Sequence, residues 1–255
     1  NSCVKFTLAL SMAMGRLSMT EQTAVLQITG LSSGYGEAVV VRDVSLKVGA
    51  GEIVALLGKN GMGKSTLLKT VMGFLPVQEG RISLFGDDVT EEPPHRMARR
   101  GISYGPQDQA IFQDLTVREN LVLGIDNLRG FEKEFSRICD LFPFMANRLQ
   151  QRAGTLSGGE QKMLILARGL IAKPRLILLD EITEGLQPSV IDRLGTALME
   201  ERKSSGTAIL LVEQNIKFAL RVADRWAVLK LGEIDDSGDC SLDNAAHRVA
   251  NHLVV

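Results

Sequence analysis

The stretch GKNGMGKST at residues 58–66 constrains this chain more than any other part of its sequence. It matches the pattern G-x-x-x-x-G-K-[ST] at every fixed position, between an apolar run at 52–57 and a helix-forming run at 64–72. A strand that ends in glycines and enters a helix directs several backbone N–H groups at one point, where the helix dipole also favours an anion. The sequence therefore predicts a phosphate-binding loop whose ligand is a nucleoside triphosphate.

Each part of this loop has an expected role. The glycines allow close backbone approach and unusual dihedral angles, because a Cβ would block both. Lys64 is expected to reach the β- and γ-phosphates from an exposed position, and the Ser65 hydroxyl to ligate Mg²⁺. The loop residues expected to contact the nucleotide are Gly58, Asn60, Gly61, Gly63, Lys64, Ser65 and Thr66.

The composition is that of an ordinary globular protein, with 255 residues, 45% hydrophobic and 23% charged. The net charge of −1 gives no global reason to expect nucleic acid as a partner. Cys3, Cys139 and Cys240 are far apart and have no metal-ligand spacing, so we expect reduced thiols and no disulfide framework. No apolar run approaches the roughly 18 residues that a membrane helix needs.

The chain is expected to have three parts. Residues 1–19 are interpreted as a leader or non-native extension, expected to be disordered, because Met19 offers a plausible start; a weak signal-peptide core is the alternative. Residues 20–238 form the main domain, with a helical subdomain at about 110–172. Residues 239–255 form a C-terminal tail.

Strand and helix signals alternate along the main domain and predict an α/β fold. Strands are expected at 24–28, 39–48, 176–179 and 208–212, a strand and turn at 80–88, and a closing hairpin at 226–234. A turn is expected at 32–36 and a short helix at 93–101. In the helical subdomain, Thr116 and Glu119 form a capping box, and an apolar helical stripe follows. Its members are Phe131, Phe135, Ile138 and Phe142.

Two acidic residues follow the buried strand at 176–179. Open α/β sheets bind ligands at the carboxyl ends of their strands, so these carboxylates are candidates for chemistry. Asp180 is expected to hold Mg²⁺ directly or through water. Glu181 is expected to orient and deprotonate the attacking water, a contribution of about 10²–10⁴ in rate.

A second capped helix start lies at Leu156–Gln161, with the sequence LSGGEQ. Ser157 is an N-cap with Glu160 three residues later, and two glycines leave the backbone N–H groups bare. This is an anion-binding helix start without a lysine of its own, so it is interpreted as serving a nucleotide held by another chain. Spacing alone leaves an ordinary capped helix equally open.

Together, the phosphate loop, Leu156–Gln161, Leu176–Glu181 and Gln107 resemble the ATP-binding cassette (ABC) family, from about Ala24 to Gly238. The resemblance implies a P-loop NTPase fold, with a parallel-sheet core, an antiparallel β subdomain and a helical subdomain. It also implies that two such domains pair head to tail. Each ATP would then lie between residues 58–66 of one chain and Ser157, Gly158 and Gly159 of the other.

The same resemblance assigns two further residues. Tyr35 matches the aromatic that stacks on adenine. Gln107 matches the loop that joins the core to the helical subdomain, contacts Mg²⁺ and senses the transmembrane partner.

A narrower resemblance concerns the transported solute. The segments at 93–96, 115–121, 183–188 and 211–215 are similar to ATP-binding subunits of bacterial importers for branched-chain amino acids, with urea importers a close second. This implies an ATP-hydrolysing subunit, peripheral on the cytoplasmic face of the inner membrane. Its implied partners are permease subunits, a second ATPase subunit (identical or different) and, indirectly, a solute-binding protein, with no nucleic acid. A soluble assembly ATPase of the iron–sulfur type and a non-hydrolysing clamp are the alternatives.

Three positions depart from the family pattern. Gln214 stands where a histidine usually contacts the γ-phosphate; glutamine can donate a hydrogen bond but cannot carry a positive charge. Gln187 replaces an aspartate that makes a contact across the dimer. Ile182 replaces a usual proline, and the loss of a fixed φ is expected to loosen the turn that aims Glu181.

Overall fold

The structure, a computed structural model, describes residues 24–107, 111–125 and 127–253. The predicted leader at 1–19 and Cys3 lie outside these residues. The strands are β1 Ala24–Tyr35, β2 Ala38–Gly49, β3 Ile53–Leu57, β4 Val77–Leu84, β5 Asp87–Asp88, β6 Ile102–Gly105, β7 Leu176–Asp180, β8 Ala208–Glu213, β9 Arg225–Lys230 and β10 Glu233–Asp239. The α-helices are α1 Lys64–Val71, α2 Pro94–Arg99, α3 Val117–Val122, α4 Phe131–Leu141, α5 Gly158–Ile171, α6 Pro188–Ser205, α7 Ile216–Val222 and α8 Ala245–Leu253.

A six-stranded sheet forms the centre of the fold, in the order β10-β9-β3-β8-β7-β6. Strands β9, β3, β8, β7 and β6 pair in parallel, and β10 closes the edge as the antiparallel arm of the predicted hairpin. Every residue of β3, β7 and β8 is buried, as expected for aliphatic strands that are covered on both faces. The carboxyl ends of β3, β7 and β8 therefore meet at one edge of the sheet.

A second, antiparallel sheet has the order β2-β1-β4-β5. The turn predicted at 32–36 is wrong: β1 continues to Tyr35 and pairs with β2 as far as Tyr35 opposite Ala38. Register shifts at this end of β1 absorb the small residues that suggested a turn. Only glycine fits at position 34, because the backbones of β1 and β2 approach each other closely there. A Cβ at this position would lie 1.9 Å from the Ala38 carbonyl oxygen.

The predicted helical subdomain contains α3, α4, two 3-10 turns and α5. The Thr116–Glu119 capping box is confirmed at the start of α3. The predicted apolar stripe is also confirmed, since Phe131, Phe135, Ile138 and Phe142 are all buried. They belong to one cluster with the apolar side of α5, which ties the subdomain to the core.

The predicted C-terminal tail at 239–255 contains a helix, which no pattern in the sequence indicated. Helix α8 lies within 239–255 and packs against β9 and β10, where Val249 and Trp226 are buried in one cluster. Cys139 and Cys240 are free thiols. Among the described helices, none has both the length and the apolar character needed to cross a bilayer.

Candidate nucleotide-binding site

The loop between β3 and α1 has the geometry of a phosphate cradle. Gly61 and Gly63 have φ values of 79° and 99°, in the left-handed region that favours glycine, and Gly63 is the N-cap of α1. Gly58 lies so close to β9 that a Cβ would come within 2.6 Å of the Leu229 carbonyl oxygen. These glycines therefore bring the loop backbone to the edge of the sheet and leave the N-terminus of α1 open.

Lys64 is buried, with 3% of its side chain exposed, so its predicted exposed position is wrong. Its ammonium donates hydrogen bonds to the carbonyl oxygens of Gly58 and Lys59, both at 2.8 Å. It also lies 3.0 Å from a carboxylate oxygen of Glu181. A buried ammonium needs such partners because it has lost its contact with water.

Glu181 is the centre of the polar contacts at this edge. Its second carboxylate oxygen accepts hydrogen bonds from the side-chain amides of Gln214 at 2.7 Å and Gln107 at 3.3 Å. Its backbone has φ 49°, and its N–H donates to the Val212 carbonyl oxygen at 2.9 Å. A non-glycine residue in this region carries strain that its surroundings must hold, and such residues concentrate at functional sites.

Two glutamines connect Glu181 to the neighbouring loops. Gln214 also donates to the Asn60 side-chain oxygen at 2.7 Å, and so bridges the phosphate loop and the end of β8. Gln107 donates to Glu184 at 2.6 Å, and its own carbonyl oxygen accepts from Lys162 on α5 at 2.6 Å. Gln107 therefore lies between the core and the helical subdomain.

Asp180 and Ser65 form a site that fits a divalent cation. Asp180 is 2% exposed, and its Oδ1 atom has no hydrogen-bond partner among the described residues. Burial raises the pKa of Asp180, while the hydroxyl of Ser65 and the ammonium of Lys64 act against that rise. A buried carboxylate oxygen without a partner beside a hydroxyl suits Mg²⁺, which prefers oxygen ligands and relies on substrate phosphates for the rest.

A cavity of about 400 Å³ opens over this edge of the sheet. Most of the predicted residues line it: Asn60, Gly61, Gly63, Lys64, Ser65, Thr66, Gln107 and Glu181. Tyr35 is not among the lining residues and is half exposed at the end of β1.

The second helix start does not line this cavity, but Gly158 lines a neighbouring one to which Gln107 also belongs. The Ser157–Glu160 capping box is confirmed: the Ser157 side chain accepts from the Glu160 N–H, and the Glu160 carboxylate accepts from the Ser157 N–H at 3.0 Å. Gly158 has open space around it, whereas a Cβ on Gly159 would lie 2.9 Å from the Val190 side chain. That Ser157, Gly158 and Gly159 bind a nucleotide held by a second chain stays a prediction.

Two acidic residues at the site were missed by the sequence analysis. Glu184 contacts Gln107, and Glu213 contacts Thr183. An acidic residue at the carboxyl end of a buried strand is a signal that applies to Glu213 as it does to Asp180. Glu184 carries no such signal, because it lies in a turn.

Comparison with known proteins agrees with this geometry. The family described as ABC transporter matches residues 41–184. The chain is 39% identical to the high-affinity branched-chain amino acid transport ATP-binding protein BraG of Pseudomonas aeruginosa, over 89% of this chain and 98% of that protein. It is 36% identical to the probable branched-chain amino acid transport ATP-binding protein LivF of Archaeoglobus fulgidus, over 84% and 92%.

Other similar proteins differ in the transport system that their names give. The lipopolysaccharide export system ATP-binding protein LptB of Escherichia coli K12 is 39% identical, over 83% of this chain and 89% of that protein. Among solved structures, a nucleotide-free ATP-binding cassette from an ABC transporter has a TM-score of 0.80 at 25% identity, over 89% and 95%. With its phosphate loop, paired acids and capped helix start in these positions, the chain belongs to the ABC transporter family, as an ATP-hydrolysing cassette.

Proposed function

We propose that this chain is the ATP-hydrolysing subunit of an importer for branched-chain amino acids. The observation that carries this proposal is the 39% identity to BraG over nearly the whole of that protein, 98%. The narrower motifs at 93–96, 115–121, 183–188 and 211–215 support the same class of importer. A urea importer, the soluble assembly role and the non-hydrolysing clamp have no comparable support.

The residues around the cavity supply the proposed chemistry. The backbone N–H groups of 58–66 bind the phosphates. The Lys64 ammonium gives up its hydrogen bonds to the loop carbonyl oxygens and donates to phosphate oxygens instead. Glu181 accepts the proton of the attacking water, while Gln107 and Gln214 orient its carboxylate. Ser65, Asp180 and Gln107 would hold Mg²⁺, which when bound neutralises charge on the β- and γ-phosphate oxygens.

The complete site is proposed to need a second ATPase subunit. Ser157, Gly158 and Gly159 do not line the cavity that holds Lys64 and Glu181. Because Gly158 is open and the N-terminus of α5 favours an anion, this helix start is suited to a phosphate held by another chain. Tyr35, half exposed at the end of β1, would stack on the adenine of the chain's own ATP.

The membrane partners are proposed to dock between the core and the helical subdomain. A groove of about 620 Å³ lies there, lined by residues of β6 and by Leu123, which is exposed. Strand β6 leads into Gln107, so a permease segment in this groove would act directly on the loop that contacts Glu181. The chain would then lie at the cytoplasmic face of the inner membrane, and a solute-binding protein would reach it only through the permease.

A lipopolysaccharide exporter subunit is the second candidate, because LptB is as similar in identity, 39%, over a slightly shorter part of the chain. The two roles differ in the transmembrane subunits that the cassette binds. Co-purification with permeases of each class therefore separates them.

Solute uptake tests the proposal. The chain is expected to restore ATP-dependent leucine, isoleucine and valine uptake when it is reconstituted with permeases and a binding protein for branched-chain amino acids. The Glu181→Gln variant serves as the inactive control. Restoration of urea uptake, or support of lipopolysaccharide export by LptB's permeases with no amino-acid uptake, would contradict the proposal.

A further inference from the structure

A buried carboxylate lies directly behind the turn that carries Glu181. Glu213 ends β8 and is 2% exposed. Its carboxylate accepts hydrogen bonds from the Thr183 N–H at 3.1 Å and from the Thr183 hydroxyl at 2.8 Å. Burial raises the pKa of Glu213, and the hydrogen bonds from Thr183 act against that rise. A carboxylate in this position is tolerated only because its oxygens are hydrogen-bonded.

The turn is attached to β8 at two points. The Glu181 N–H donates to the Val212 carbonyl oxygen at 2.9 Å, and Thr183 binds the Glu213 carboxylate. Between them, Ile182 is buried in the apolar cluster that includes α5 and α6. These contacts hold the backbone on both sides of Glu181, whose φ lies in the left-handed region. A non-glycine residue keeps such a strained φ only where its surroundings hold it there.

The same carboxylate also reaches the next loop. The Gln214 N–H lies 3.3 Å from a Glu213 carboxylate oxygen, and the Gln214 side chain donates to Glu181. Glu213 therefore contacts the turn that carries Glu181 and the residue that orients Glu181, yet it does not line the cavity.

We propose that Glu213 is a positioning residue. It binds Thr183 and so holds the turn that follows Glu181. The held turn directs the Glu181 carboxylate towards Lys64 and Gln214. This rests on the proposed role of Glu181 in hydrolysis. It also explains how the turn is held where Ile182 replaces a φ-restricting proline: side-chain hydrogen bonds from a neighbouring strand provide the restraint that the ring would have provided.

Thr183 variants of the full chain test this role. Thr183→Val keeps the shape of the side chain and removes the hydroxyl, whereas Thr183→Ser keeps the hydroxyl. We expect Thr183→Val to lower the kcat of ATP hydrolysis by about 10- to 100-fold, because a misplacement of roughly 1 Å has effects of that size. The Kd for ATP is expected to change much less than kcat, because the carbonyl oxygens of Gly58 and Lys59 still hold Lys64 in the phosphate loop. Thr183→Ser is expected to keep the wild-type kcat.

A matched control lies at the opposite end of β8. Thr207 is also buried, and its hydroxyl donates to the Pro174 carbonyl oxygen and to Glu201. Thr207→Val therefore removes a buried hydroxyl far from the site, and it is expected to lower the melting temperature without lowering kcat.

A double-mutant cycle tests the pair directly. Glu213→Gln keeps the shape of the side chain and places an amide where Thr183 needs an acceptor. If the two side chains act through one contact, Thr183→Val and Glu213→Gln together lower kcat by less than the product of their separate effects. If Glu213→Gln does not fold, the Thr183 variants carry the test alone.

Three results would overturn the inference: a wild-type kcat in Thr183→Val, equal losses in Thr183→Val and Thr183→Ser, or a kcat loss in Thr207→Val as large as that in Thr183→Val. Glu181→Gln separates this failure from that of the proposed site. If Glu181→Gln keeps turnover, the site assignment is wrong. If Glu181→Gln is inactive while Thr183→Val is fully active, only the positioning role of Glu213 is wrong.

Discussion

The ion pair between Lys64 and Glu181 links the two groups on which the site depends. Both side chains are buried, with 3% and 4% exposed, and their nearest atoms are 3.0 Å apart. A buried pair of this kind adds little net stability, because desolvation offsets its attraction, but the loss of one partner leaves the other charge uncompensated. The pair therefore holds the Lys64 side chain close to where a triphosphate would bind.

Lys64→Ala is expected to weaken ATP binding without unfolding the core. The charge-assisted contact to phosphate is worth about 1.5–3 kcal/mol, a loss of roughly 10- to 150-fold in affinity. Calorimetric titration with ATP and far-UV circular dichroism measure the two effects. Lys133→Ala, a change at an exposed lysine of α4, is the control. Unchanged ATP affinity in Lys64→Ala would show that the loop is not the nucleotide cradle.

Two helices begin with the same capping box but lie in different surroundings. Thr116 and Glu119 start α3, and Ser157 and Glu160 start α5. In each, the cap side chain accepts from the backbone N–H three residues on, and the glutamate returns a contact to the cap's N–H. The boxes are thus matched in local geometry, and only the second is proposed to meet a nucleotide.

Ser157→Ala and Thr116→Ala are therefore expected to separate capping from catalysis. Each variant loses about 0.5–2 kcal/mol of unfolding free energy, the usual cost of an N-cap deletion. Only Ser157→Ala is expected to lower ATP turnover as well. Urea unfolding and phosphate release measure the two quantities, and equal turnover in both variants would mean that the α5 cap is purely structural.

Helix α8 is attached to β10 by charged side chains. The Arg248 guanidinium binds Asp236, with Nε at 3.2 Å, and His252 lies within 3.1 Å of the same carboxylate. Burial raises the pKa of Asp236, but the hydrogen bonds from Arg248 and Ser237, with the nearby positive charge of Arg248, together outweigh that effect and hold the pKa below its ordinary value. Arg248 also lies over the Trp226 ring, 5.0 Å from its centroid.

Asp236→Asn is expected to loosen the attachment of α8 to β10. At pH 7 it is expected to lower the free energy of unfolding by about 1–2 kcal/mol, because the lost hydrogen bonds join charged groups that are partly solvated. Because the folded pKa is lowered, this contribution is present above the ordinary pKa of 3.8 and is lost as the pH falls through the folded value. The stability difference between wild type and variant therefore shrinks with acidification.

Denaturant unfolding from pH 7 to pH 3, with amide exchange of residues 245–253, measures this effect. Asp243→Asn removes the same charge from an exposed position and is the control. A stability difference that does not change with pH, or slow exchange in α8 of the variant, would contradict the role of Asp236.

At the scale of the whole molecule, the two halves of the proposed site lie on separate parts of one chain. The phosphate loop and the paired acids meet at the edge of the parallel sheet, while Ser157 lies at the start of α5 and outside the cavity. A single chain therefore has a cavity that holds Lys64 and Glu181, and a helix start whose Gly158 lines a separate, neighbouring cavity. In the proposed head-to-tail pair of chains, these two parts would meet twice.

Glu181→Gln is expected to trap this dimer in ATP and Mg²⁺. Glutamine keeps the shape of the side chain but cannot accept the proton, so hydrolysis slows by about 10²–10⁴-fold and the closed state persists. Size-exclusion chromatography with light scattering detects the dimer, alone or with the second ATPase subunit. Glu200→Gln on the exposed side of α6 is the control. Unaffected turnover in Glu181→Gln would place the base elsewhere.

Local sequence determined the elements that depend on near neighbours. The phosphate loop, the two capping boxes, the buried strands and the apolar stripe of α4 were predictable, because each is set by residues within a few positions of one another. Asp180 and Glu181 were also predictable, since parallel strands bring their carboxyl ends to one edge.

Tertiary structure alone decided the features that join distant residues. Lys64 is buried against Glu181, which lies 117 positions later in the chain. Ser32 and Ser33 belong to a strand because β4, a distant part of the chain, pairs with them. Glu213 meets Thr183 only when β8 lies beside β7. Helix α8 packs against α7, β9 and β10, which lie together only in the folded chain. Such contacts leave no periodicity or spacing in the sequence, because each depends on the order of the strands in the sheet.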